Sequence, residues 1–433
     1  MKKICILWMT LLLISPLQVF ASDLPIPTPT EDANIETRSI EGEEIEGKDE
    51  LEEKDMIEEK DMIEGKDEAV TTAAEDLIQN GKAGILIDAV TGEIMFEKNS
   101  HERMTVASLT KMVAQILILE AVEKGVTTWD EKVTVSANAS GMGGSQIWLE
   151  TGEVMSVQEL MKGISMGSAN DATVALAEKI GGTEANFVQM MNDKVKSLGL
   201  SDTNFVNPTG LDEENHYSSA YDLAMIAKEL LTHEKILEFS SPYEDYLRQD
   251  TETPYWLVNT NKLVRFYDGA DGLKTGHTDN AGYCLAGTAK KDNMRLIAIV
   301  LGEPSASIRN TETMALLDYG FNLYQMNLIK SKNESLGSID IEKGSISKAE
   351  IITGSDIGVI EKKGTDSSQY TQEIKLDEIK LPIKKGTQVG IIQIKNGEEV
   401  IGEYPILINQ DVEKISFLQT FVNTFTDMFT GTK

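Results

Sequence analysis

Ser108 and Lys111 stand three residues apart at the head of an apolar run, Met112-Val113-Ala114-Gln115-Ile116-Leu117-Ile118-Leu119. Positions three apart are neighbours on a helix, so the hydroxyl and the amine would share one face. A neutral amine there can take the serine proton and leave a nucleophile. Burial beside an apolar helix, or a second cation nearby, shifts a lysine in the needed direction. The spacing alone is weak, because the same pattern recurs at Ser345 and Lys348. Only the first opens an apolar helix, whereas the second lies in a Gly-rich region of short strands. Ser108 is therefore the nucleophile candidate and Ser345 the decoy.

Two further groups could complete such a site. Ser-Ala-Asn occurs at Ser136-Ala137-Asn138 and at Ser168-Ala169-Asn170. Helical spacing over Val157 to Gly163 and over Asp171 to Ile180 puts Ser168 on a tight interhelical connection that can aim side chains into a cleft. Ser136 has no such frame, and a helix cap or turn is its simpler role. Lys274-Thr275-Gly276 occurs once, at the start of an apolar strand. A cation beside a hydroxyl can hold a carboxylate, and the glycine lets an extended peptide approach the strand edge. The three groups fall in the order Ser-x-x-Lys, Ser-x-Asn, Lys-Thr-Gly, which together is far more specific than any one of them.

The elements that must position them form two folded regions. Ala83 to Asp88 and Ile94 to Glu97 flank a Thr91-Gly92 turn and predict a hairpin. Helical spacing recurs over Ala220 to Leu231 and over Ser305 to Tyr324. Between them, Leu273 to Gly276, Gly282 to Gly287 and Met294 to Leu301 predict antiparallel strands with a turn at Asp292-Asn293. Strands at both ends with helices between them predict an α+β domain over about 70–328, whose sheet combines its first and last strands. From 332 to 411, Glu350 to Ile352, Ile357 to Ile360, Val389 to Ile392 and Tyr404 to Leu407 predict a small all-β domain. The segment 413–433 places Leu418, Phe421, Val422, Phe425, Met428 and Phe429 on one stripe. That is an amphipathic helix suited to a membrane interface, with packing on its own β domain as the alternative.

The start of the chain reads as an export leader over residues 1–21: Lys2-Lys3, an apolar run from Ile4, and Val19-Phe20-Ala21 before Ser22. A retained N-terminal anchor is the alternative, and either reading puts the body outside the cytoplasm. Residues 22–68 carry 19 Asp or Glu against 5 Lys or Arg, with near-repeats at Glu53 to Glu58 and Glu59 to Glu64. Such a segment has too little apolar surface to offset its ordering entropy and is expected to be a disordered tether. A net charge of -31 argues against a nucleic-acid partner. Cys284 lies in an apolar strand and is expected to be a packed thiol, since Cys5 belongs to the leader.

Together with Asn207-Pro208-Thr209-Gly210-Leu211, His216-Tyr217-Ser218-Ser219-Ala220 and Asp271 to Thr278, these motifs resemble the penicillin-binding, serine-type D-alanyl-D-alanine carboxypeptidases of low molecular mass. The resemblance implies a penicillin-binding/β-lactamase-like catalytic domain that acts on peptidoglycan stem peptides at the outer face of the cytoplasmic membrane or in the cell wall. It further implies that Ser108 attacks the D-Ala-D-Ala carbonyl and that Lys111 takes its proton. Ser168 would relay protons to the leaving amine, and Asn170 would orient Lys111 and the substrate amide. Lys274 and Thr275 would bind the terminal carboxylate, with Gly276 giving room. The backbone N–H groups of Ser108 and His277 would form the oxyanion hole. β-Lactam antibiotics would act as inhibitors, and no cofactor or metal is called for. A β-lactamase and a D,D-endopeptidase are the rival activities on the same fold. Against the first, no Glu-x-x-Leu-Asn string lies between Asn170 and Lys274.

Overall fold

Strand β1 (Ala83–Asp88) is apolar on both faces, and β2 (Ile94–Lys98) folds back on it through the predicted turn. The computed structural model describes residues 77–365 and 370–415. The expected leader, the tether and most of the expected tail helix lie outside the described residues. After β2, a single 3-10 turn (Ala107–Thr110) leads into α1 (Lys111–Glu123). Then come β3 (Lys132–Thr134), α2 (Ala137–Ser140), β4 (Val154–Ser156), α3 (Val157–Gly167), α4 (Asn170–Gly181) and α5 (Glu184–Ser197). Next are α6 (Ala220–Thr232), α7 (Ile236–Ser240), β5 (Glu244–Leu247), β6 (Tyr255–Val258) and α8 (Leu263–Phe266). The domain closes with β7 (Ala270–Thr278), β8 (Gly282–Lys291), β9 (Met294–Glu303) and α9 (Ala306–Leu323).

The main sheet runs β2-β1-β9-β8-β7, antiparallel throughout, so the first and last strands do share it. Successive strand residues point to opposite faces. Ile85, Ile87, Ile297 and Ile299 accordingly join the large core with α1, α3, α4 and α6, while Leu86, Leu296 and Val300 face Leu316 and Leu317 of α9. Helices on both faces explain why these strands read as continuous apolar runs. Helix α1 is buried from Lys111 to Leu119, as its lack of a polar face predicts.

The second domain holds β10 (Tyr324–Lys330), β11 (Ser335–Asp340), β12 (Lys348–Thr353), β13 (Ile357–Lys362), β14 (Tyr370–Leu376), β15 (Gln388–Asn396) and β16 (Glu399–Ile408). β10 pairs with β13, and the other strands form a sheet in the order β11-β12-β16-β15-β14. They enclose a separate core of Ile351, Ile357, Ile394, Tyr404 and Ile406. The limit at 328 expected from the sequence falls within β10, where Leu328 pairs with Gly358.

Candidate active site

Ser108 lies on the 3-10 turn, and Lys111 is the first residue of α1. Residues three apart eclipse on a 3-10 turn, which brings the two side chains together more directly than an α-helix would. Lys111 Nζ donates to Ser108 Oγ at 2.8 Å and to the carbonyl of Thr209 at 2.6 Å. The lysine is fully buried, while Ser108 is only half-buried. Burial holds the Lys111 amine well below the ordinary lysine range, the nearby Lys274 charge pushes it further down, and Asp171 opposes both. Ser108 thus keeps some exposed surface and its partner amine has none.

Ser168 ends α3 in a left-handed conformation, with φ 59° and ψ 26°. That geometry lets the chain reverse at once into α4, and Ala169 N–H is taken up by the carbonyl of Gly163. Both Ser168 and Asn170 are buried. Asn170 Nδ2 donates to Gly143 O at 2.7 Å, and its Oδ1 is buried without a partner. The expected link from Asn170 to Lys111 is not made; Lys111 turns to the Thr209 carbonyl instead. An orphaned buried amide oxygen is a ready acceptor for an N–H supplied by a ligand.

Lys274, Thr275 and Gly276 lie on the edge strand β7. Burial lowers the Lys274 amine to about 7, with the neighbouring Arg309 guanidinium adding to the shift. Thr275 Oγ1 donates to Thr260 Oγ1 at 2.7 Å. A Cβ at Gly276 would sit 2.9 Å from Val106 O and 3.2 Å from Ser108 N, so only glycine lets β7 run beside the turn that carries Ser108. His277 follows, exposed, its ring 4.1 Å from that of Tyr283 across the β7–β8 pair.

Several parts of the site carried no readable signal in the sequence. The Asp171 carboxylate accepts from the backbone of Ile147 and Leu149, and Arg248 donates to the carbonyls of Ile147 and Trp148. These bonds hold the segment that contributes Gly143 to Asn170. Gly210, with φ 84°, lies so close under Ala107 that a Cβ would meet its carbonyl oxygen at 1.9 Å. Thr209 and Gly210 belong to one of the motifs that carry the family resemblance, which implies no role for either.

The discarded alternatives sit elsewhere. Ser136 caps α2, its hydroxyl accepting from Ala139 N–H at 3.0 Å. Ser345 is exposed and bonds to the backbone of Glu413, and Lys348 begins β12 on the surface. Cys284 is fully buried, and burial raises its thiol to about 11, which leaves it inert as a nucleophile. Among the described residues, Glu120, Glu229 and His233 approach a metal-ligating geometry. The Lys194 ammonium bridges the two glutamates, so that group already has its cation.

Residues 69–305 match the D-alanyl-D-alanine carboxypeptidase family, and residues 324–414 match the penicillin-binding protein 5 C-terminal domain. The chain is 45% identical over 353 residues to the D-alanyl-D-alanine carboxypeptidase DacF of Bacillus subtilis (strain 168), covering 81% of this chain and 91% of the relative. Penicillin binding protein 5 of Haemophilus influenzae superposes with a TM-score of 0.61 at 29% identity, covering 80% of this chain and 100% of that one. Penicillin-Binding Protein D2 of Listeria monocytogenes in the ampicillin-bound form does so with 0.51 at 34% identity, covering 56% and 97%.

Proposed function

The chain belongs to the D-alanyl-D-alanine carboxypeptidase family, and from that premise we propose that Ser108 is the nucleophile with which it removes the terminal D-alanine of peptidoglycan stem peptides. The observation that carries this reading is the 2.8 Å bond between Ser108 Oγ and a fully buried Lys111. With its proton affinity lowered by burial and by Lys274, Lys111 takes the hydroxyl proton as Oγ attacks the penultimate D-Ala carbonyl. The C–N bond breaks, a proton passes to the departing amine through Ser168, and D-alanine leaves. Water then cleaves the ester, with the proton again taken by Lys111.

Lys274 and Thr275 hold the substrate carboxylate, and the orphaned Asn170 Oδ1 accepts a substrate amide N–H. The Ser108 and His277 N–H groups stabilise the tetrahedral oxyanion, a contribution of about a hundredfold or more in rate. β-Lactams offer the same carboxylate and a reactive amide, so they acylate Ser108, in keeping with the ampicillin-bound Listeria relative. The apolar stripe of Leu418, Phe421, Phe425 and Phe429 supports attachment to the outer face of the membrane.

Ser108→Ala is expected to abolish both labelling by a fluorescent penicillin and D-alanine release from a synthetic pentapeptide, with Ser345→Ala leaving both unchanged. Labelling retained in the Ser108 variant rejects the assignment.

A further inference from the structure

Ala107, the residue before the nucleophile, is buried and has φ 47°, a conformation that is strained for a non-glycine residue and persists only where its surroundings impose it. What imposes it is a chain of three hydrogen bonds, two of them between buried groups. Val206 N–H donates to His216 Nδ1 at 3.2 Å, His216 Nε2 lies 2.8 Å from Thr110 Oγ1, and Thr110 Oγ1 donates to Ala107 O at 2.9 Å. The directions follow from counting protons. A neutral imidazole has one donor and one acceptor nitrogen, and a hydroxyl has one proton. Nδ1 accepts from Val206, so Nε2 carries the ring proton and gives it to Thr110, whose own proton goes to Ala107.

We propose that His216 and Thr110 are positioning residues that aim the Ser108 backbone N–H at the oxyanion, by clamping the carbonyl on the other side of the same peptide plane. The inference rests on the reading of Ser108 as nucleophile. A trans peptide is rigid, with C=O and N–H pointing in opposite directions, so fixing Ala107 O fixes the Ser108 N–H. Gly210 closes off movement from below, where a Cβ would lie 1.9 Å from Ala107 O. On the other side β7 passes so close that a Cβ at Gly276 would be 3.2 Å from Ser108 N. The amide is therefore held at its carbonyl end and flanked by the strand that supplies His277. None of these groups touches the reacting atoms, and their effect on rate passes through a peptide plane.

The test uses the full chain and follows acylation by a fluorescent penicillin in stopped flow, resolved into a pre-acylation dissociation constant and an acylation rate constant. Thr110→Val keeps the side-chain shape and removes the hydroxyl. Its acylation rate constant should fall by about 10- to 100-fold, less than the roughly 100- to 1000-fold lost when an oxyanion donor is removed altogether, with the dissociation constant within about threefold of the parent's. Thr110→Ser should restore the rate. His216→Asn keeps an acceptor near the place of Nδ1 for Val206 N–H, but its shorter side chain does not carry an N–H out to the place of Nε2 for Thr110, so it should lower the same constant. The double variant Thr110→Val/His216→Asn should be no slower than Thr110→Val, because the two act through one chain. A folded Thr110→Val that acylates within about threefold of the parent, or two single effects that multiply in the double variant, overturns the proposal. Should Thr110→Val fail to fold, an unchanged rate in His216→Asn overturns it equally. Mass spectrometry of the acylated parent separates this from the premise. The acyl group on the tryptic peptide Met104–Lys111 supports Ser108 as nucleophile whatever the variants do, and an acyl group elsewhere rejects that premise.

Discussion

The chain carries the pattern Ser-x-x-Lys twice, and the two copies behave as different chemistry. At Ser108 the hydroxyl sits on a 3-10 turn against a lysine with no exposed surface, under a second cation, with glycines where β7 and the Thr209-Gly210 segment press close. At Ser345 the hydroxyl accepts from Glu413 N–H on an exposed turn, and Lys348 begins a strand that pairs with β11. Identical residues at identical spacing thus give a desolvated, hydrogen-bonded pair in one place and a strand connection in the other. The difference lies in desolvation and enclosure, which lower an amine's proton affinity only where water is excluded.

The largest contrast should come from the lysines. Lys111→Met is expected to cut the acylation rate constant by about 10³-fold or more, the upper range for loss of a general base. Lys348→Met should leave it unchanged and move stability by no more than about 0.5 kcal/mol. Comparable losses in both variants would erase the distinction. The glycines beside the two serines give a second, smaller contrast. Gly210→Ala puts a Cβ at φ 84° and 1.9 Å from the Ala107 carbonyl, so acylation should slow by about 10- to 100-fold even where the protein stays folded. Gly344→Ala meets Ile341 at 2.6 Å and Val412 at 2.9 Å. It should cost about 1–3 kcal/mol in thermal unfolding, with activity intact below the transition.

The smallest effect is in pH. Lys274 is charged below about 7 and neutral above it, and only the charged form holds a carboxylate. KM for the pentapeptide should therefore rise with pH above that point, by at most about tenfold per unit, while kcat follows a different midpoint set by Lys111. The same profile is expected in Lys348→Met. A KM flat from about pH 6 to about pH 9 would remove Lys274 from carboxylate binding.

How far the sequence could be read depended on whether a feature was periodic, repeated or neither. Helix α1, the β1–β2 hairpin and the β7–β8–β9 meander were legible because apolar runs and turn residues mark them. The short hairpins β3–β4 and β5–β6 are three or four residues per strand, too few for alternation to register. Helix α5 escaped although Phe187, Met191 and Val195 recur at intervals of four, because the other positions are mostly polar. In the site, side chains in motifs were legible and backbone groups were not. The Thr209 carbonyl on Lys111 has no residue-type signature, and neither does the grip of Asp171 on the 147–149 backbone. Asn170 shows the converse, a motif residue whose expected bond to Lys111 is replaced by one to Gly143.

The pairing of β1 with β9, from Ala83 opposite Leu301 to Asp88 opposite Leu296, also sets the order in which the site can come into being. A chain made from its N-terminus produces Ser108 and Lys111 early and Lys274 late. The hairpin β1–β2 has no neighbour in the sheet until β9 is complete. Until then β7, the strand that carries Lys274, has β8 as its sheet neighbour and no sheet link to β1. Long-range pairings of this kind are slow to form and leave apolar surface exposed meanwhile. The pairing therefore ties the two ends of the domain together: Ser108 and Lys111 precede β9 by most of the domain's length, and the sheet on which Lys274 lies closes onto β1 only through that strand.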